Sequence, residues 1–372
     1  MIIIPPPNLD APALSGAPDA RFVPAPVDGV VPDGFFSTTN LPTYVRIAGT
    51  WRTPREPRMD AALVLDAAGD LWAREMRRVR KGELVAVGKA ENGSEGIFVY
   101  DRALDAGGED QFQFMGSDVS REKPIDYALM ARLLLDERDR GGYPVWVLGP
   151  ALVHARARAD LVWFIERGFV RALLAGNAVA AHDIEASIYG TTLGMTGSGI
   201  PTQGGHGLHM RAINKVREAG SIAAAVKQGI ITEGIMRACV LHDVPFVLAA
   251  SIRDDGPLPE VITDMLQAQD AMRRHTVKAT MAIMIASALH GIATGNMLPA
   301  FVTDADGGMR ELITICVDSS EFVVNKLKDR GTHQAFGVVT NAQDFMHIMR
   351  LYVERELDAR GAAAAAETVG AP

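Results

Sequence analysis

The segment Phe169–Asn214 concentrates residues that could take part in acid–base chemistry. An apolar run, Val170–Ala175, is followed by His182, Asp183 and Glu185, and a stretch with five glycines and two more histidines comes next. Core packing does not require so many small and titratable residues, so the pattern favours a ligand-facing loop. A long Gly-rich surface loop with solvated histidines is the alternative interpretation.

Two adjacent acidic residues, Asp254 and Asp255, follow another apolar run, Phe246–Ala250. Neighbouring carboxylates raise the pKa of one partner, and a raised pKa suits a general base for an ammonium proton. We therefore predict that one of the two side chains binds a ligand and that the other exchanges protons. An ordinary Asx turn before the next helix would explain the pair equally well.

Polar residues also follow two further apolar runs. The run Ile313–Val317 ends at Asp318, and Met281–Ala286 is followed by Ser287 and His290. An acidic residue that closes a parallel strand can accept both ribose hydroxyls of NAD, and its charge would repel the 2′-phosphate of NADP. A helix cap at Asp318 is the alternative. No set of Cys, His and carboxylate residues has the spacing of metal ligands, so the sequence predicts no metal site.

The apolar runs that precede these residues alternate with helical patterns, which is typical of a doubly wound parallel sheet with its ligand at the carboxyl ends of the strands. The first β-to-α turn, Leu148-Gly149-Pro150, lacks the G-x-G-x-x-G fingerprint. The predicted strands are Val145–Leu148, Val170–Ala175, Phe246–Ala250, Met281–Ala286, Ile313–Val317 and Phe336–Val339.

Short β-rich runs separated by Gly, Asp and Asn precede this region and predict a small antiparallel domain. We predict an α/β protein with four segments: a Pro-rich lead-in (1–34), a β-rich N-terminal domain with a bridging helix opened by Pro124 (35–142), a Rossmann-type domain (143–355) and a disordered tail (356–372).

Composition limits the class of protein. The chain has 372 residues, of which 48% are hydrophobic and 22% charged, and its formal net charge is −8. The absence of a basic block argues against nucleic acid and membrane partners. The N-terminus resembles neither a signal peptide nor a membrane anchor. The two cysteines, Cys239 and Cys316, stand in apolar runs, which favours buried thiols in a reducing cytoplasm.

Five motifs together resemble the archaeal-type ornithine cyclodeaminases, a family that also forms the C-terminal half of arginine dihydrolase fusion enzymes. The region was formerly described as lysine–ketoglutarate reductase/saccharopine dehydrogenase. The resemblance runs from Pro26 to Leu351. The motifs are VDGVVPDGFFSTTNLPTYVRIAGTW (Val27–Trp51), LLAGNAVAAHDIEASIYGTTLG (Leu173–Gly194), SIRDDGPLPEVITD (Ser251–Asp264), ALHGIATGNMLPA (Ala288–Ala300) and VDSSEFVVNKLKDRGTHQAFGVVTN (Val317–Asn341).

The resemblance implies a Rossmann-type domain related to deoxyhypusine synthase that holds NAD tightly. We also expect a homo-oligomer, either a dimer or a tetramer. Carried over to this sequence, the implied cofactor contacts are Asn177, Ala178, Asp255, Ser287, Ala288, Leu289, His290, Asp318, Asn341 and Ala342.

The activity implied by the resemblance is a redox-neutral cyclisation of a basic amino acid, with ornithine giving proline and ammonia. The hypothesis assigns the base to Asp254 or Glu185 and the binding of the substrate carboxylate to Arg46, with Asn40 in the adjacent STTN motif. Surface or domain-interface ion pairs are equally good explanations for Asp254, Glu185 and Arg46. Such a cycle needs closure against water, which the Gly-rich segment Gly194–Gly207 could provide as a lid.

Three other functions stay open at this level. An amino-acid dehydrogenase on the same fold would release NADH, and an imine-forming transferase would need a nucleophilic lysine, for which Lys326 is the only candidate near a strand end. A non-enzymatic NAD-sensing module is the third. The sequence also departs from the family in its short lead-in, in Asn341 where Asp is typical, and in an extra segment, Thr303–Leu312.

Overall fold

The structure is a computed structural model that describes residues 3–101, 125–254, 256–304, 307–328 and 335–369. The helices are α1 (Pro12–Ser15), α2 (Tyr127–Asp139), α3 (Ala151–His154), α4 (Arg158–Glu166), α5 (Asn177–Tyr189), α6 (Leu208–Ala219), α7 (Ile222–Lys227), α8 (Ile235–Leu241), α9 (Met265–Thr276), α10 (Ala288–Met297), α11 (Glu321–Lys328) and α12 (Ala342–Val369).

The strands are β1 (Ile3–Ile4), β2 (Arg21–Pro24), β3 (Thr43–Ile47), β4 (Thr50–Arg52), β5 (Ala62–Leu65), β6 (Leu71–Arg74), β7 (Leu84–Val87), β8 (Ile97–Val99), β9 (Pro144–Leu148), β10 (Ala172–Gly176), β11 (Thr191–Thr192), β12 (Met195–Thr196), β13 (Phe246–Ala249), β14 (Val261–Ile262), β15 (Met281–Ile285), β16 (Phe301–Thr303), β17 (Met309–Glu311), β18 (Ile313–Asp318) and β19 (Ala335–Val339).

The chain divides into two compact units. The first unit contains the described residues up to 101 together with Gly295–Leu312, and it is built from antiparallel sheets in the orders β2-β7-β5-β6, β4-β3-β8 and β1-β17-β16. Its core includes Leu63 and Val85, which are fully buried on adjacent strands. These antiparallel sheets agree with the β-rich region of the predicted fold class.

The lead-in contributes more structure than the sequence predicts. Within 1–34, β2 pairs with β7 and β1 pairs with β17. Phe22 and Val23 supply the aromatic and β-branched side chains that favour a strand, although prolines surround them. The extra segment Thr303–Leu312 supplies β17, so it belongs to the same three-stranded sheet as the start of the chain.

The second unit contains the described residues of 125–294 and 313–327, and those from 335 onward. Its seven parallel strands run in the order β14-β13-β10-β9-β15-β18-β19. The six longer strands therefore follow the 3-2-1-4-5-6 order of the Rossmann fold, and the two-residue β14 is added at one edge. All five residues of β9 and of β15 are buried, because helices cover both faces of a parallel sheet.

Two elements lie near predicted domain boundaries. Helix α2 belongs to the second unit, where the Tyr127 ring stacks on Tyr352 of α12 at a centroid distance of 5.9 Å, and its bridging role stays a prediction. Pro124, the predicted first residue of this helix, lies outside the described residues. Helix α12 continues to Val369 through most of the predicted disordered tail, because alanine, which dominates 362–366, has the highest helix propensity. In the described part of the chain, no helix is long and apolar enough to cross a membrane.

Candidate functional site

The second unit brings most of the predicted cofactor residues to one edge of its sheet. The seven strands are parallel, so their carboxyl ends meet there, and ligands of such sheets bind at that edge. Asp255 lies outside the described residues. The others lie at or just after the ends of β10, β15, β18 and β19; they are Asn177, Ala178, Ser287, Ala288, Leu289, His290, Asp318, Asn341 and Ala342.

The point at which the strand order reverses lies between β9 and β15. The Gly149 amide donates to the Ile285 carbonyl at 2.9 Å, and a Cβ atom at position 149 would lie 1.6 Å from the Ala286 carbonyl oxygen. Only glycine fits this approach of two backbones. Gly149 thus allows the β9 and β15 backbones to approach closely where the strand order reverses, which is where such sheets bind ligands. The sequence nevertheless has no G-x-G-x-x-G loop.

Asn177, Asp254 and His290 form a polar cluster at the ends of β10, β13 and β15. The Asn177 Nδ2 donates to Asp254 Oδ1 at 3.4 Å, and the Asn177 Oδ1 accepts from the Leu258 amide at 3.1 Å. A Cβ atom on Gly176 would lie 3.3 Å from the His290 ring. Burial lowers the pKa of His290, and the charge of Asp254 opposes that shift. A neutral imidazole therefore lies beside a carboxylate in this cluster.

The Asp254 carboxylate has one short hydrogen bond within the protein, and its other oxygen has only a long contact. Its Oδ2 accepts from the Ser251 amide at 2.7 Å, and its side chain is half-buried. The Ser251 amide lies three residues before Asp254, whereas an Asx turn accepts from an amide two residues later, so this contact is not the turn that the alternative interpretation expected. The long contact from Asn177 leaves Oδ1 able to accept a shorter hydrogen bond from a ligand.

Asp318 and Asn341 combine local contacts with a position at the sheet edge. Asp318 Oδ1 accepts from the Ser320 amide at 2.9 Å, and no described residue donates to its other carboxylate oxygen. Asp318 can therefore cap the following helix with one oxygen and bind a ligand with the other. Asn341 begins α12: its Oδ1 accepts from the Asp344 amide at 2.9 Å, and its Nδ2 donates to Asp344 Oδ2 at 2.6 Å. An aspartate at this position could not make the second contact, because it has no donor.

Glu185 lies inside α5 and is fully buried. The Thr191 hydroxyl and the Gly194 amide donate to Oε1 at 3.0 and 2.9 Å, and the Leu193 amide donates to Oε2 at 3.1 Å. His182 Nδ1 lies 3.1 Å from Oε2. Burial alone would raise the pKa of Glu185, but these four contacts together hold it below its usual range. This geometry favours an anchor for the loop after α5 over the predicted base.

His182 is one of the titratable residues that the sequence pattern singled out, but the pattern assigned it no specific role. It precedes Glu185 by three residues on α5, so the two side chains share a helix face, and that spacing was the available signal. The His182 ring lies 4.6 Å from the His154 ring and 5.9 Å from the His209 ring, measured between centroids. In the described part of the chain, no group of three or more His, Cys, Asp or Glu residues is placed to hold a metal ion.

A cavity of about 280 Å³ is lined by His182 together with two members of the polar cluster, Asn177 and Asp254. Its wall includes Asn177, Ala178 and Asp254 from the strand ends, and His182 and His209 from the helices behind them. A second cavity, of about 670 Å³, lies beyond Gly190 and is lined by none of the predicted site residues. The smaller cavity is the better candidate for chemistry, because residues that follow the strand ends line it, and ligands of parallel sheets bind at that edge.

Arg46 and Asn40, the predicted substrate-binding residues, belong to the first unit. Arg46 lies on β3 opposite Trp51 of β4, and its Nε is buried without a hydrogen-bond partner among the described residues. The Asn40 carbonyl accepts from the Ala300 amide at 2.8 Å. A buried guanidinium nitrogen without a partner suits an anionic ligand.

The parallel strand order and the ligand edge define a Rossmann-type α/β protein. Two sequence families match the chain, both described as the C-terminal part of ArgZ-like arginine dihydrolases: the Rossmann-fold region over residues 128–349 and the first region over residues 42–129. An ornithine cyclodeaminase from Methanopyrus kandleri is 46% identical over 332 residues, which span 88% of this chain and 77% of the relative. The chain belongs to the archaeal-type ornithine cyclodeaminase family, a family of enzymes.

Solved structures agree with this assignment. The crystal structure of a conserved LOR/SDH protein from Methanococcus maripaludis S2 has a TM-score of 0.82 and 39% identity, and the match covers 91% of this chain and 99% of that one. The ternary complex of AgrE with ornithine and NAD+ has a TM-score of 0.59 and 36% identity, over 92% of this chain and 47% of that one. The Rossmann-type fold predicted from sequence is therefore confirmed.

Proposed function

We propose that the protein is an NAD-dependent cyclodeaminase that converts ornithine to proline and ammonia in a redox-neutral cycle. The observation that carries the proposal is the cavity in which Asp254 and Asn177 meet at the carboxyl edge of a Rossmann-ordered sheet. Membership of the cyclodeaminase family supports it, and so does the binding of ornithine and NAD+ by the similar AgrE.

The residues at the sheet edge fit NAD. Asp318 offers a carboxylate oxygen without a described donor, which suits a ribose hydroxyl. Gly149 allows the backbone contact that the crevice needs. Asn177, Ser287 and His290 would hold the rest of the dinucleotide. NAD, when bound, supplies the acceptor and later the donor of the hydride at Cα of the substrate.

In this scheme Asp254 removes the proton from the substrate's α-ammonium group. Its half-buried carboxylate is anchored by the Ser251 amide and keeps Oδ1 available, as a general base must. Glu185 is no longer proposed as a base, because four contacts occupy its oxygens. Arg46 and Asn40 stay predictions as substrate-binding residues, and a homo-oligomer stays a prediction that sedimentation velocity would test.

The transferase alternative has little support. Lys326 on α11 is exposed, and its Nζ lies 5.2 Å from the centroid of the Phe322 ring. A nucleophilic lysine needs a desolvated pocket, whereas the Lys326 side chain is exposed among the described residues. An NAD-sensing module would have no use for an acid–base cavity at the strand ends.

The experiment incubates the protein with NAD and a panel of basic amino acids and measures ammonia, product and NADH. A cyclodeaminase produces ammonia and a cyclic amino acid over many turnovers, while NADH never exceeds the amount of enzyme. Substrate deuterated at Cα should keep its label in the product even with unlabelled NADH in solution. NADH that accumulates in step with ammonia would reassign the protein as an amino-acid dehydrogenase. If no substrate releases ammonia, the NAD-sensing module becomes the better interpretation.

A further inference from the structure

The contacts of Glu185 determine which nitrogen of His182 carries a proton. Glu185 is an ionised carboxylate, since its pKa is held below the usual range, and a carboxylate only accepts hydrogen bonds. Its 3.1 Å contact with His182 Nδ1 therefore requires a proton on Nδ1. In the neutral ring Nε2 then carries the free lone pair, and no described residue forms a hydrogen bond with it. This is the arrangement in which a carboxylate orients an imidazole for proton transfer.

Among the three neighbouring histidine rings of this region, His182 is the best placed to transfer a proton. His154 of α3 lies beside its ring, and burial lowers the pKa of His154, which a proton on both nitrogens of His182 would lower further. The His209 ring of α6 lies 5.9 Å from the His182 ring between centroids, and Arg253 and Asp254 line the same cavity as His182. The Nδ1 atoms of His154 and His209 are buried and have no partner among the described residues. Neither of these two rings has the carboxylate support that His182 has.

The proposed reaction needs more proton transfers than one base performs. Asp254 serves the α-ammonium, but the δ-ammonium must also lose a proton before its nitrogen can attack, and the departing α-nitrogen must gain one. His182 and Asp254 line the same cavity of about 280 Å³. Two groups of different chemistry in one cavity can divide such acid and base roles.

We propose that His182 is the second proton-transfer group of the reaction, with Glu185 as the residue that positions it; this rests on the proposed function. His182 Nε2 takes a proton from the δ-ammonium. The lone pair of the substrate's δ-nitrogen then forms a bond to Cα, the iminium carbon, which closes the substrate ring. The extra proton on this substrate nitrogen passes to the α-amine. The Cα–Nα bond then breaks with its electron pair on ammonia, and the imidazolium returns its proton to give ammonium.

The first test does not depend on turnover. In protein labelled with ¹⁵N-histidine, the wild-type His182 signal, assigned by its absence in His182→Gln or His182→Asn, should show a protonated Nδ1 and an unprotonated Nε2. Adding NAD and ornithine should shift the Nε2 resonance, whereas a purely structural histidine would not respond. A proton on Nε2, or no response of Nε2 to the ligands, would overturn the proposal, whatever the activity of the His182 variants.

The second test compares turnover. His182→Gln should lower kcat by about 10²–10⁴ while NAD affinity holds, and the exposed His242→Gln is the matched control and should behave as wild type. Glu185→Gln, which places an amide against Nδ1, should lower kcat and lose the Nδ1-protonated spectrum. Full activity of His182→Gln overturns the inference, whereas an inactive wild type overturns the proposed function instead.

Discussion

Glu185 and Asp254 are both acidic residues near the candidate cavity, yet their surroundings are opposite. Glu185 is fully buried and receives four contacts from His182 and the loop that follows α5. Asp254 is half-buried and has one short contact, from the Ser251 amide, and one long contact, from Asn177. The first carboxylate holds structure in place, whereas the second is free to meet a ligand. Donor number, more than position along the chain, separates the two roles.

A third carboxylate, in the first unit, shows the effect of burial without donors. Glu311 on β17 is 2% exposed, and its Oε1 has no hydrogen-bond partner among the described residues. Burial raises its pKa to about 8, whereas the pKa of the equally buried Glu185 is lowered. The two buried glutamates therefore test the same principle with opposite signs.

The largest effect is expected on kcat at Asp254, the carboxylate that can still accept a hydrogen bond from a ligand. Asp254→Asn keeps the shape and the Ser251 contact but removes the base, so kcat should fall by about 10²–10⁴ with little change in NAD affinity. Steady-state kinetics and NAD titration measure the two quantities. The exposed Asp243→Asn is the control and should turn over normally. Equal losses of kcat and NAD affinity would show that Asp254 is a cofactor ligand and would remove the contrast with Glu185.

The next effect is on stability. Glu185→Ala strands the Thr191 hydroxyl and the Leu193 and Gly194 amides, so the free energy of unfolding should drop by about 3–5 kcal/mol, as when one partner of a buried charged network is removed. Urea unfolding measures the loss. The exposed Glu218→Ala, on α6, provides the control. A change below about 1 kcal/mol would mean that the four contacts do not anchor the loop.

A smaller effect, with a defined pH window, is expected at Glu311. Its folded pKa of about 8 lies above the ordinary value of 4.5, so the stability it contributes is complete below pH 4.5 and is lost as the pH rises towards 8. Glu311→Gln cannot ionise, so its stability should stay flat in this window and exceed the wild type at pH 8 by a few kcal/mol at most. Parallel wild-type and variant curves between pH 5 and 8 would contradict the raised pKa.

At Glu185 the expected pH dependence of stability is the reverse of that at Glu311. Its folded pKa is lowered, so the stability it contributes is present above its ordinary pKa of 4.5 and is lost as the pH falls through the lower folded value. Acid unfolding of Glu185→Gln should therefore begin from a lower stability and show a shallower pH dependence than the wild type. A steeper dependence would reverse the comparison of the two glutamates.

The sheet was predictable because its strands are continuous apolar runs. All six predicted strands of the second unit are present, displaced at their ends by at most two residues, as β10 (Ala172–Gly176) shows against Val170–Ala175. Strand β14 was not predicted, because a pair such as Val261-Ile262 has no periodicity to detect. The strand-end positions of Asp254 and Asp318 followed from the same pattern, since a parallel sheet brings all its carboxyl ends together.

The role of Glu185 could not be predicted in the same way. Its donors come from residues six to nine positions later, at Thr191 and Gly194, and depend on how the loop folds back against α5. Sequence spacing places Glu185 near His182 but does not count hydrogen bonds. Arg46 illustrates a second limit, because a buried nitrogen without a partner becomes visible only when the packing around β3 is known.

The last prediction concerns Asp318, which stands between the two extremes because one of its oxygens is occupied by the Ser320 amide and the other has no described donor. Asp318→Ala should weaken NAD binding by about 1–3 kcal/mol, the usual cost of leaving polar partners of a charged group unpaired. It should weaken NADP binding less, because the lost carboxylate no longer repels a 2′-phosphate, so the preference for NAD shrinks. Asp318→Asn separates the two causes: it retains an acceptor for Ser320 but loses the charge, so NAD affinity should fall less while discrimination against NADP still declines. Calorimetric titration of both nucleotides measures these differences. If neither variant changes the affinity for NAD, the free oxygen does not face the ribose, and Asp318 serves only the fold through its contact with the Ser320 amide.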